Sequence, residues 1–219
     1  MSEAKGVPYH RVLVLTSRGI TSQQRHLVKN LQEMMPQKRS ENKMDTKKDL
    51  AVLQEIAELN KCDKLMYFES RKHRDLYAYI GDVRGPSCKF AVHDIHTMEE
   101  LHMSGNFLKG SRPILSFDSA FNTTPEFRVV KELLKQCFAT PRRHPKSKPF
   151  IDHTVSFSIV EDMVMMRVYQ TTERQIGRHT DNVVDLVEVG PRMMLDLEVV
   201  FAGCCSGRVL YKRTRPTRR

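Results

Sequence analysis

A short apolar run, a polar turn and a capped amphipathic helix occur twice in this chain, 102 residues apart, and nothing else in the sequence limits its fold as tightly. The first copy opens with His10–Thr16 (HRVLVLT), which has the length and composition of a buried strand. Thr21-Ser22-Gln23-Gln24 follows in the Thr-x-x-Gln form of a capping box, where hydroxyl and amide satisfy the free backbone donors of a helix start. Leu27, Val28, Leu31, Met34 and Met35 then fall at helical spacing, and Pro36 ends the helix. In the second copy Pro113–Phe117 (PILSF) is the strand and Thr123-Thr124-Pro125-Glu126 the capping box. Phe127, Val130, Leu133, Leu134 and Cys137 carry its apolar stripe. At this shift Ser17 falls on Ser119, Thr21 on Thr123, Gln24 on Glu126, Leu27 on Val129, Val28 on Val130, Lys29 on Lys131 and Leu31 on Leu133.

Strands outnumber helices after each copy. Pro36–Lys48 reads as a polar, mainly basic connection, and Leu50, Leu53, Ile56, Ala57 and Asn60 mark one further helix. Strands are predicted at Lys64–Glu69, Asp75–Ile80 and Cys88–Ile95, punctuated by Gly81 and Gly85-Pro86. Four more follow the second helix, at His153–Val160, Met163–Thr171, Val183–Val189 and Met193–Phe201. The plan is α/β, with two similar halves that are each a sheet covered by helices. Boundaries are expected near 8–105 and 106–211, leaving 212–219 as a basic arm.

Lys and Arg number 36 against 26 acids, a formal charge of +10, and such a surplus favours a polyanionic partner. Its placement says more than its size. Residues 111–219 hold 18 basic and 12 acidic side chains, and two segments, Ala139–Pro149 and Lys212–Arg219, contain nine of those basic residues and no acid. Both segments contain proline and form helix or strand poorly, which suits arms that follow a phosphate backbone. No stretch approaches the roughly 18 apolar residues of a membrane span, and the opening MSEAKGVPYH lacks a signal-peptide core. Five cysteines without a Cys-x-x-Cys pair fit a reducing compartment.

No catalytic set stands out. The strand-to-helix turn Thr16–Thr21 has one glycine and no Gly-Lys-Ser/Thr, so it is neither a P-loop nor a dinucleotide fingerprint, although Arg18 beside a helix start suits a phosphate. Ser116-Phe117-Asp118-Ser119 lacks the flanking glycines of a nucleophile elbow. His93 and His96 lie three apart on a predicted strand and point to opposite faces, with no cysteine or carboxylate at ligand spacing. The sequence therefore gives no cofactor or metal site.

The block Phe107–Ser158 resembles the signature of the Brix domain family, in which a strand and a helix lead through a T-P-x-x-H-P-x-S-x-P-F linker into a strand hairpin. Here the linker is Thr140-Pro141-Arg142-Arg143-His144-Pro145-Lys146-Ser147-Lys148-Pro149-Phe150, followed by Ile151-Asp152-His153. Arg11–Gln32, Phe68-Glu69-Ser70-Arg71-Lys72 and Leu186–Arg192 (LVEVGPR) extend the resemblance over nearly the whole chain. It implies two intertwined α/β halves, each similar to the anticodon-binding domain of class II aminoacyl-tRNA synthetases. It also implies a non-catalytic factor of nucleolar large-subunit precursors that binds pre-rRNA, with other assembly factors and ribosomal proteins around it. A dedicated partner, the homologue of the Epstein–Barr nuclear antigen-binding protein, is expected to wrap the domain as an extended helical chain. One departure concerns the hairpin Val160–Tyr169, which is rich in methionine where the family carries aromatic residues and an Asn-Arg turn.

From these readings Arg142, Arg143, His144, Lys146 and Lys148 are expected to lie along rRNA phosphates. Arg18, Lys38, Arg39, Lys109, Arg112, Lys212, Arg213 and Arg215 are expected to help. Val164, Met166, Val168 and Tyr169 are the candidate partner face, methionine standing in for aromatic packing and Tyr169 left as a candidate for base stacking. The competing reading is a protein-interaction scaffold within a ribonucleoprotein that touches RNA little.

Overall fold

A computed structural model describes residues 10–41, 44, 50–101, 105–140, 144–175 and 182–214. Its first strand, β1 (Val12–Thr16), is buried on both faces and feeds α1 (Ser22–Met34) through the expected capping box. The Gln24 N–H donates to Thr21 Oγ1 at 3.3 Å and the Thr21 N–H donates to Gln24 Oε1 at 3.1 Å. Then come β2 (Lys38–Ser40), α2 (Val52–Leu59), β3 (Lys64–Arg71), β4 (Asp75–Asp82), β5 (Ser87–His96) and the single turn α3 (Met98–Leu101). The second half holds β6 (Pro113–Phe117), α4 (Pro125–Phe138), β7 (His153–Val160), β8 (Met163–Gln175), β9 (Asn182–Glu188), β10 (Arg192–Phe201) and β11 (Val209–Lys212).

The start of α4 differs from the expectation. Thr123 does not cap it; its hydroxyl donates to the Ala120 carbonyl at 2.6 Å and closes a short 3-10 turn, Ser119–Asn122. Thr124 is the N-cap, without a side-chain bond, and Pro125 takes the first helical position. Proline lacks the N–H that would be unsatisfied there and has its φ already set for a helix, so it moves the start one residue on.

The eleven strands of the described residues join one sheet, ordered β2-β1-β3-β4-β5-β10-β8-β7-β6, with β9 on β8 and β11 on β10. The two halves share a plan. β1 pairs in parallel with β3, and β6 with β7; antiparallel β3-β4-β5 then matches antiparallel β7-β8-β10. The halves meet where β5 pairs antiparallel with β10, from His96–Arg192 to Ser87–Phe201. Two short strands have no period-2 signature in the sequence. β2 lies in the connection read as polar, and β11 (Val209–Lys212) runs into the segment read as an arm.

Both long helices lie on one face of this sheet and share a core. It takes Leu27, Val28, Leu31 and Met34 from α1, Val130, Leu133, Leu134 and Phe138 from α4, and inward residues of both halves, among them Val12, Phe90, Val155, Phe157 and Leu195. Gln37 stitches the halves, its Nε2 donating to the Cys137 carbonyl at 2.8 Å and the Ala139 carbonyl at 3.3 Å. The opposite face is treated unequally. Over the first half α2 covers it, burying Leu53 and Ala57 against Leu13, Leu15, Leu65, Tyr67 and Tyr79. Over the second half no described helix does, which leaves Ile114, Ser116, Ser156, Ser158, Met165, Arg167 and Tyr169 exposed or half-buried.

A candidate nucleic-acid interface

The loop 105–112 and the linker end 144–153 lie side by side at one end of the second half, locked together by backbone bonds. The Lys148 N–H donates to the Gly110 carbonyl at 2.7 Å and the Arg112 N–H to the Phe150 carbonyl at 2.8 Å. Gly110 sits at φ +83°, and a Cβ there would stand 3.0 Å from the Lys146 carbonyl, so glycine allows this close approach. Asp152 is the hub, accepting the Leu108 N–H at 2.7 Å and the Ser111 hydroxyl at 2.5 Å. Burial alone would raise its carboxyl, but hydrogen bonds from Ser111, His153 and the Leu108 N–H outweigh that and hold it below the usual carboxylate value.

His153 completes the network, with Nδ1 2.9 Å from Asp152 and 3.1 Å from Ser111 Oγ, and its ring stacked on Phe107 at 4.4 Å. Distance alone would make the Asp152 contact an ion pair. Burial, however, lowers the imidazole's pKa against the pull of the nearby carboxylate, so the site disfavours the charged ring that an ion pair needs. Ser, His and Asp therefore do meet here, but Ser111 is fully buried and spends its proton on Asp152. The trio braces a loop.

Cations gather around this braced loop. Lys146 and Lys148 are exposed on the linker, and Lys109 is 72% exposed while its ammonium pairs with Glu33 Oε1 at 3.0 Å. Lys38 reaches in from β2; burial lowers its pKa, and the positive charges of Lys146 and Lys109 lower it further against the pull of Glu33. Arg112 is half-buried at the foot of β6. Arg39, one residue beyond Lys38, faces the other side of the sheet, where its charge acts on Cys62.

Not every expected cation joins them. Arg18 lies beyond Thr16 at the far end of β1, whereas Lys38 pairs with Val12 at the near end, and the strand between is roughly 13 Å long at about 3.3 Å per residue. Lys212 and Arg213 are likewise remote. Arg213 pairs with Asp196, which faces Met163 at the β7–β8 turn, the end of the hairpin away from His153. Arg142, Arg143 and Arg215 lie outside the described residues.

Two expectations need correction. His144 is only 7% exposed, its Nδ1 accepts the Lys146 N–H at 3.2 Å, and burial lowers its pKa, so it shapes the linker turn instead of offering a charge. Val164, Met166 and Val168 are fully buried in the core shared with α1 and α4, so they offer no partner face. The alternation along β8 was legible, but its apolar set faces inward, and Met165, Arg167 and Tyr169 occupy the open face. Sequence reasoning also missed Glu33, Asp152 and Phe150. Glu33 carries no local signal, whereas Asp152 and Phe150 stand in the linker block itself. Among the described residues no three His, Cys, Asp or Glu side chains group as metal ligands would.

The profile of the Brix domain matches residues 17–199. The chain is 47% identical over 213 residues to the ribosome biogenesis protein BRX1 homolog of Xenopus laevis, a match covering 97% of this chain and 60% of that protein. To the ribosome biogenesis protein BRX1 of Saccharomyces cerevisiae it is 43% identical over 207 residues, covering 92% and 71%. It thus spans about 60% of the length of the Xenopus relative. A solved probable ribosomal biogenesis protein from Aeropyrum pernix superposes with a TM-score of 0.52 at 16% identity, over 85% of this chain and 96% of that one, a likeness of fold alone. Profile, relatives and the two-half sheet agree: the chain belongs to the Brix domain family.

Proposed function

We propose that this chain is a non-catalytic ribosome biogenesis factor that binds pre-rRNA in nucleolar precursors of the large subunit. One observation carries the RNA-binding part: Lys38, Lys109 and Lys146, far apart in sequence, stand close enough for their charges to act on one another beside a hydrogen-bonded loop that also carries Arg112, with Lys148 in the linker bound to it. Arg142 and Arg143 stand in the same linker and add to that charge. The names of the relatives support the assembly role. Cations fixed on a rigid support neutralise phosphates with little base readout, so the shape of the pre-rRNA and neighbouring proteins would supply placement. The domain reading is one unit over 8–211 with its halves divided near 105.

The test is binding to duplex RNA across salt concentrations. With about six phosphates engaged, log K should fall against log salt with a slope near −5, and replacing Arg142, Arg143, Lys146 and Lys148 by Ala should bring it to about −2. A slope near zero for the unaltered chain overturns the reading.

A protein partner is also proposed, on a different surface. The open sheet face around Met165, Arg167 and Tyr169, continued by Val184 and Leu186 on β9 at 51% and 54% exposure, leaves apolar area uncovered. A helical chain, for which the homologue of the Epstein–Barr nuclear antigen-binding protein is our candidate, would cover it much as α2 covers the first half. Crosslinks from Tyr169 to protein favour this occupant; crosslinks only to RNA exclude it.

A further inference from the structure

We propose that Phe150 is a stacking platform for an unpaired RNA base, set between cations that hold the flanking phosphates; this rests on the RNA-binding reading of the linker. Of the ten phenylalanines, nine are buried or half-buried, and Phe150 alone is exposed, at 59%. Leaving a phenyl ring in water forgoes the gain of burying it, so this exposure works against stability.

The backbone that carries the ring is nevertheless held in place. Its own carbonyl accepts the Arg112 N–H at 2.8 Å, the Lys148 N–H two residues earlier is bound to Gly110, and Pro149 between them fixes one backbone dihedral. Two residues further on, Asp152 ties the segment to Leu108 and Ser111. A pinned backbone costs little further ordering when a ligand stacks on its side chain.

Charge selects the class of ligand. Lys146 and Lys148 precede the ring, Arg112 stands on the adjoining loop with Lys109, whose charge Glu33 partly offsets, and residues 139–149 contain no acid. Two carboxylates that bond to this loop are engaged, Asp152 by Leu108 and Ser111 and Glu33 by Lys109. An exposed ring on a cation-bearing segment matches single-stranded nucleic acid, which offers a π-face and a phosphate in each repeat. The neighbouring Leu108 and Ile151, 41% and 60% exposed, extend the apolar ledge on which a base could lie.

Because the chain has no tryptophan, Phe150→Trp introduces a sole indole at the site. Its fluorescence should be quenched saturably by oligoadenylate and little by blunt duplex RNA. Phe150→Ala should weaken oligoadenylate binding at least fivefold, with an unchanged salt slope and unchanged duplex affinity. Unaltered melting curves would show that both variants fold. An unquenched indole together with full oligoadenylate affinity in Phe150→Ala overturns the stacking role while the salt slope of the unaltered chain leaves phosphate binding standing. Failure of the unaltered chain to bind RNA in a salt-dependent way overturns both. Loss of a protein contact in Phe150→Ala, with RNA binding intact, would also overturn the proposal and give the ledge to a protein.

Discussion

Glu33 restrains the basic cluster, and its neutralisation gives the sharpest prediction. In the structure its carboxylate holds the Lys109 ammonium at 3.0 Å and faces Lys38. Glu33→Gln keeps the shape and removes the charge, releasing Lys109 to a phosphate. One more displaced counterion should steepen the dependence of log K on log salt by about 0.9 and tighten duplex RNA binding about fivefold near 0.15 M salt. Stability should move little, because Lys109 is 72% exposed and water screens its pairing with the half-buried Glu33, and such pairs contribute about 0–1 kcal/mol. Fluorescence anisotropy between about 50 and 200 mM salt reads both quantities. Adding Lys109→Ala to the variant should cancel the gain. The same affinity and slope in a normally folded Glu33→Gln protein would refute the claim that this acid competes with RNA.

Acid should weaken the fold through the loop network. Burial holds His153 below the ordinary histidine value of 6.5, so below that pH the unfolded chain binds the extra proton first. Stability should therefore be flat above about pH 6.5 and fall beneath it, and Asp152, also depressed, should deepen the loss at lower pH. Urea denaturation across this range should show the fall, and His153→Gln should flatten its first part; a fall unchanged in that variant would assign it to other groups. On β8, Met166→Ala should cost about 2–5 kcal/mol by opening a cavity in the shared core, and Met165→Ala on the open face clearly less. Equal losses would contradict the facing read from the strand.

Much of the architecture was legible because its signals are local. Thr21 and Gln24 are three residues apart, and each strand from Lys64 to Phe201 shows its own apolar pattern. The start of α4 was misplaced by one residue because the Thr-x-x-Glu pattern competes with the preference of Pro125 for the first helical position. β2 and β11 were missed because three or four residues are too few to show a period, and pairing with β1 and β10 makes them strands. The site was legible in composition and not in geometry. The linker announced its cations, but the approach of Lys38 and Lys109 depends on the packing of distant segments. Alternation on β8 gave two faces without saying which one the helices cover.

The seam between β5 and β10 sets a schedule for the nascent polypeptide. Ser87–His96 is synthesised about a hundred residues before Arg192–Phe201 arrives to pair with it, a delay of about five to twenty seconds at ordinary elongation rates. Throughout that interval the growing first sheet carries an unsatisfied backbone edge, the kind that recruits other chains. A fragment stopped before Arg192 would be an unfinished domain, and chaperone protection would be needed most while that edge is open.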